Sequence, residues 1–135
     1  MYKKLNANFY QNMAKLFYAI AAADKIIKEE EFTALKTIVK EKWLTIDKSE
    51  DEFNTDAAYQ IEFVFEWLQF KGLDADICFK EFIEYKNEHS YFFTEELNHL
   101  IMQTAEKIAF SSAGKNKSEL IMLAKLHLHL KNPAS

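Results

Sequence analysis

One stretch of the chain decides its fold: MAKLFYAIAAADKIIKEEEFTALKTIVK (13–40). In its first half, apolar residues recur every three or four positions, the spacing that places them on one face of an α-helix. The pattern stops at the polar turn around Asp24 and resumes after it, which predicts two amphipathic helices joined by a short connection. Each helix must bury its apolar face against a partner, so we expect the stretch to form one side of a helical core.

The same pattern returns 88 residues later, in IMQTAEKIAFSSAGKNKSELIMLAKLHL (101–128), which aligns with the first stretch without a gap. Four of the 28 aligned pairs are identical: Ile20 and Ile108, Ala21 and Ala109, Glu31 and Glu119, Leu35 and Leu123. The repeat predicts two related helical hairpins, helices 1–2 and helices 5–6, packed about a pseudo-twofold axis. The intervening helices 3 and 4 would then form a central pair between the hairpins.

The first four helices are predicted over about 3–23, 29–43, 57–70 and 74–89. Helix 5 is predicted to begin at Thr94, and Gly114 with Asn116 separates it from helix 6, which ends near Leu130. Asp74 and Thr94 are placed to cap two helix starts, Gly72 to end helix 3, and Ser49 with Glu52 has the spacing of a capping box. The 135 residues contain only two glycines and one proline, too few for phosphate-binding glycine loops or for a turn-rich β-sandwich. We therefore expect one all-α domain over 1–135 with about six helices.

The charges restrict the kinds of partner. All 17 basic residues are lysine and the net charge is −4, so no arginine can read a guanine edge and we expect no nucleic-acid partner. Residues 41–96 hold fifteen acids against five lysines, an acidic zone that would attract cations or a basic partner unless it is simply a solvated surface.

The compartment follows from the cysteine count and the apolar runs. The one cysteine, Cys78, lies among apolar residues and is predicted to be an inert buried thiol in a reducing, cytoplasmic protein. The apolar run 16–23 is too short to span a bilayer, so no membrane span is expected.

Helix 3 is apolar on two faces. One stripe is complete and is predicted to point inward: Ala57, Ile61, Val64, Phe65 and Leu68. A second stripe, formed by Phe63, Trp67 and Phe70, is either sandwiched inside the domain or presented to a protein partner or a second copy of the chain. A central position for helix 3 favours burial of this stripe.

No catalytic residue is predicted from spacing. Glu96 and His99 form a single E-x-x-H motif, whereas a di-iron bundle needs two such motifs and two further glutamates. His127 and His129 project from different sides of a helix and cannot hold one ion together. His127 aligns with Val39, so it is predicted to be an interior histidine.

The turn AIAAADKIIKEEEF (19–32) resembles the TerB-like family of tellurite-resistance proteins and DjlA-type co-chaperone domains, whose hairpins read A-[DE]-G-x-I before an acidic helix start. The resemblance implies a duplicated all-helical fold and a divalent-metal site for Ca²⁺, Mg²⁺ or Mn²⁺, whose ligands map onto Asp24, Glu31 and Glu119. This chain departs from the pattern at Lys25, where the family has glycine, and at Ser112, which matches Asp24. The alternative is that the three carboxylates only cap their helices.

The resemblance implies a non-enzymatic module in a stress-response or tellurite-resistance type of system, acting by weak metal binding, by protein docking, or by both. The alternative from another class is a metal-dependent hydrolase, or another enzyme, that uses the acidic zone of 41–96.

Overall fold

The computed structural model describes residues 5–46, 57–112 and 117–131. Its six main helices are α1 (Ala7–Ala21), α2 (Glu29–Ile38), α3 (Gln60–Lys71), α4 (Ala75–Glu88), α5 (Glu95–Ala109) and α6 (Lys117–Lys131). Helix α2 continues through a π-helical turn, Val39–Trp43, into a last α-helical turn, Leu44–Ile46. Within these described ranges there is no β-strand, so the prediction of an all-α fold is confirmed.

The helix ends follow local chemistry. Asp74 accepts a hydrogen bond from the Ile77 N–H at 3.0 Å, and Thr94 Oγ1 accepts one from the Leu97 N–H at 3.1 Å, as predicted. Helix α3 ends at Gly72, which adopts the left-handed conformation with φ 65°. The sequence did not single out Asn6, whose side chain caps α1. The predicted capping box at Ser49 and Glu52 lies outside the described residues.

Helix α1 forms the centre of the fold. It packs against α3, α4, α5 and α6, and most of its side chains are buried. Alanines at positions 14, 19 and 21 are fully buried, so neighbouring helices can approach its backbone closely. The predicted central pair of α3 and α4 is therefore wrong in its placement, because each of these helices packs mainly on α1.

The π-helical turn after α2 places Trp43 in the core. Its side chain is fully buried and meets the ring of Phe17 edge-on, with 5.9 Å between ring centroids. The indole N–H donates to Thr104 Oγ1 at 3.0 Å, and that hydroxyl donates to the Leu100 carbonyl at 2.8 Å. The polar atoms of this contact are thus satisfied, as buried polar groups must be, and the end of α2 is fixed to α5.

The structure also bears on the predictions for Cys78 and for membrane spans. Cys78 is buried, and this burial raises the pKa of its thiol to about 11, so the group is an inert thiol as predicted. No helix in the described part of the chain is long and apolar enough to cross a membrane.

Candidate functional site: a buried carboxyl pair and an exposed aromatic stripe

The two glutamates that the repeat aligns meet in the interior. Glu31 is the third residue of α2 and Glu119 the third residue of α6, so both lie in a first helical turn. Their exposed fractions are only 1% and 2%, and their side chains are hydrogen-bonded to each other. Burying carboxyl groups costs several kcal/mol of free energy unless each one is paired, protonated or bound to a cation. The start of α2 and the start of α6 are therefore joined by what we call the carboxyl pair, Glu31 and Glu119.

One half of the carboxyl pair has a clear structural role. Glu31 Oε1 accepts a hydrogen bond from the backbone N–H of Lys28 at 2.7 Å and so caps the start of α2. Glu31 Oε2 is fully buried, and no amide, hydroxyl or ammonium group in the described ranges donates to it. Capping therefore explains one oxygen of Glu31 and leaves the other in need of a proton or a cation.

The other half of the pair holds a proton at neutral pH. Burial, the hydrogen bond with Glu31, and the negative charges of Glu31 and Asp24 raise the pKa of Glu119 to about 9, while Lys28 opposes them. The resulting carboxylic acid can donate its proton to the Glu31 carboxylate. Two carboxyl groups in hydrogen-bond contact repel each other strongly when both are ionised, so a shared proton is the expected state without a cation.

Asp24, the third predicted ligand, lies close enough to the pair for its charge to raise the pKa of Glu119, after the larger effects of burial and Glu31. It is half-buried, and its Oδ1 accepts a hydrogen bond from the Ile26 N–H at 3.0 Å. Across the described residues, no three His, Cys, Asp or Glu side chains come together as a ready metal-ligand set. The structure thus brings Glu31 and Glu119 into contact and leaves Asp24 within electrostatic reach. Sequence reasoning overlooked Lys28, the cation near this group, because no spacing rule marked it.

The turn between α1 and α2 keeps a left-handed conformation at Lys25, the position where the TerB-like pattern has glycine. Lys25 has φ 70°, a left-handed conformation that costs an L-residue about 1–2 kcal/mol. Ser112, which matches Asp24, is half-buried just beyond α5. The departure at Lys25 therefore leaves the turn formed but strained.

We expect Lys25→Gly to raise the free energy of unfolding by about 0.5–1 kcal/mol, because relief of the left-handed strain exceeds the added entropy of the unfolded chain. Gly72→Ala is the opposite control, because it introduces a side chain where a glycine has the left-handed conformation. Its φ is 65° and an added Cβ meets no atom within 4 Å, so strain alone should destabilise that variant by about 1 kcal/mol. Urea unfolding of both variants checks the pair, and a destabilised Lys25→Gly would contradict the assignment of strain.

The second stripe of α3, named here the aromatic stripe, faces outward. The exposed fractions are 55% for Phe63, 53% for Trp67 and 84% for Phe70. The burial expected from a central α3 is wrong, because α3 lies to one side of α1 and has no helix over its outer face among the contacts of the described elements. The inward stripe behaves as predicted, with only Val64 partly exposed. The aromatic stripe is thus an apolar surface that the elements in the described part of the chain leave exposed.

The histidines form no metal centre in the described chain. His99 and His127 are exposed and line one groove of about 370 Å³ between α5 and α6. The prediction of an interior His127 is wrong, although its aligned residue Val39 is buried. Burial carries over between aligned residues only where the two helices have the same neighbours, and His127 instead lines the groove with His99, whereas Val39 is in the core.

A scan with protein-family models, a search of curated proteins and a search of solved structures each returned no match to this chain. The TerB-like resemblance therefore rests on the residues of the two hairpin turns. An all-α fold alone assigns no activity, so function has to be argued from the carboxyl pair and the aromatic stripe.

Proposed function

We propose that this protein is a non-enzymatic TerB-like helical module that binds one divalent cation at the carboxyl pair. The main support for the proposal is that the Glu31 side chain is 99% buried. Apart from the contact with Glu119, no amide, hydroxyl or ammonium group of the described residues donates a hydrogen bond to Glu31 Oε2. Following the family resemblance, we place the module in a cytoplasmic stress-response or tellurite-resistance type of system.

The chemistry of the pair suits a hard cation. Ca²⁺, Mg²⁺ and Mn²⁺ prefer carboxylate oxygens, and a cation that replaces the Glu119 proton would neutralise the repulsion between the two carboxylates. Asp24 would supply the third negative charge, either through water or after releasing the Ile26 N–H. Two or three carboxylates are fewer than Ca²⁺ prefers, so we expect weak binding, with water completing the coordination.

We expect millimolar Ca²⁺, Mg²⁺ or Mn²⁺ to raise the melting temperature of the protein by several degrees. An ion at 100 times its dissociation constant stabilises the folded state by about 2.7 kcal/mol, and a domain of this size gains several degrees from that amount. Glu31→Gln and Glu119→Gln should each abolish the increase, and Asp24→Asn should reduce it. Glu29→Gln is the matched control, because Glu29 is exposed in the same first turn of α2.

Proton release gives an independent measurement of the same event. Since Glu119 is protonated at neutral pH, cation binding should displace about one proton, which calorimetry in two buffers of different ionisation enthalpy detects. If none of the three ions changes the melting temperature or releases a proton, the pair is a structural contact held by its own proton and the proposal is wrong.

A further inference from the structure

The aromatic stripe has the spacing of a helix–helix interface. Phe63, Trp67 and Phe70 are four and three residues apart, the alternation that a coiled-coil seam shows at successive d, a and d positions. All three are more than half exposed, while Phe65 and Leu68 on the opposite side of α3 are buried in the core. The helix therefore presents one apolar seam inward and a second one to the surroundings.

The charges beside this seam indicate which helix would cover it. With Trp67 at an a position, Glu66 occupies the preceding g position and Lys71 the following e position, one on each side of the stripe. In a parallel pair of helices, a g residue meets the e residue five positions later on the partner. Glu66 would then meet the partner's Lys71, and the symmetric contact would form a second time. An antiparallel pair would instead place Glu66 near the partner's Glu66.

We propose that two copies of this chain form a parallel, twofold symmetric dimer through α3, with the aromatic stripe at its centre. The stripe is self-complementary in both apolar pattern and charge, as an isologous interface requires. In the monomer, Lys71 Nζ lies 5.9 Å from the Trp67 ring centroid, so this ammonium group already lies at the edge of the seam. On the other side, burial raises the pKa of Glu62, Lys36 opposes this shift, and the nearby negative charge of Glu66 adds to it.

The size of the stripe predicts a weak dimer. Aromatic side chains bury roughly 150–250 Å² each when fully covered, so these three rings, each more than half exposed, offer about 300–500 Å² per protomer. Standard interfaces bury about 800 Å² per partner, which places this one among the weak and transient associations. The dimer should therefore form only at high protein concentration.

We expect sedimentation velocity from about 5 to 500 µM to show a reversible monomer–dimer equilibrium for the unaltered chain, in a range typical of weak interfaces. Trp67→Ala should raise the dimer dissociation constant at least tenfold, because a central tryptophan is a typical hot spot. Leu128→Ala is the matched control: Leu128 is 59% exposed on α6, away from the stripe, and its removal should leave the constant unchanged. All samples contain a chelator, so the result does not depend on the cation site.

Charge reversal tests the parallel arrangement. Glu66→Lys and Lys71→Glu should each weaken the dimer, and the double variant should restore it because the two symmetric contacts are re-formed with opposite sign. A chain that stays monomeric at 500 µM, or a dimer that survives Trp67→Ala, would overturn the proposal. A stripe-dependent dimer that the double variant does not restore would overturn the parallel pairing.

Discussion

Replacing Trp43 by alanine should lower the free energy of unfolding by about 3–5 kcal/mol, the cost of deleting a fully buried aromatic side chain. The side chain is 0% exposed and packs edge-on against Phe17. Its loss also leaves the Thr104 hydroxyl without the indole N–H that donates to it. Urea unfolding at low micromolar protein concentration, below the range of dimer formation, measures the effect.

Trp67→Ala is the matched comparison, because it deletes the same atoms from a site that is 53% exposed. We expect a loss below about 1 kcal/mol, as for surface substitutions away from buried contacts. Thr104→Val provides a second control: it keeps the volume of the side chain and removes the acceptor for the indole N–H, which should cost about 1–3 kcal/mol. Equal losses for the two tryptophan variants would mean that Trp67 is as buried as Trp43 and that the aromatic stripe is no surface.

Local chemistry made the helix ends predictable. Asp74, Thr94 and Gly72 act through hydrogen bonds or backbone conformation within a few residues, so the sequence contains everything that places them. The position of each helix in the fold depends on contacts between distant segments. Periodicity showed which face of α1 is apolar, but it did not show that α1 rather than α3 lies at the centre, where small residues allow several helices to approach.

In the candidate sites too, the sequence identified residues but did not predict the contacts between distant segments. The repeat identified Glu31 and Glu119 as equivalent residues, and the structure shows them in contact, which no spacing within either hairpin required. The exposure of the aromatic stripe depends on where α3 lies in the fold. The sequence alone therefore allowed the stripe to be either buried or exposed. Val39 and His127 align in the repeat, yet only Val39 is buried, because burial depends on the neighbours of each helix and not on the aligned residue alone.

The stability of the metal-free protein should fall as the pH rises from about 5 to about 9, because the Glu119 proton is held by the folded state alone in that range. The pKa of Glu119 is raised to about 9 in the folded protein, first by burial and then by Glu31 and Asp24, whereas a glutamate in the unfolded chain titrates near 4.3. Between these values the folded state binds more protons than the unfolded state, so the free energy of unfolding decreases with pH. One proton contributes at most about 1.4 kcal/mol per pH unit.

Glu119→Gln isolates the contribution of this one carboxyl group from the rest of the chain. The amide keeps the shape of the protonated acid and can donate to Glu31, but it has no proton to lose, so its unfolding free energy should decline less steeply above pH 5. Glu30→Gln, in the exposed part of the same turn of α2, should retain the slope of the unaltered chain. Urea unfolding with a chelator at each pH gives the slopes. Identical slopes for the unaltered chain and Glu119→Gln would mean that the folded state does not hold a proton on Glu119 in this range, and the raised pKa of Glu119 would be wrong.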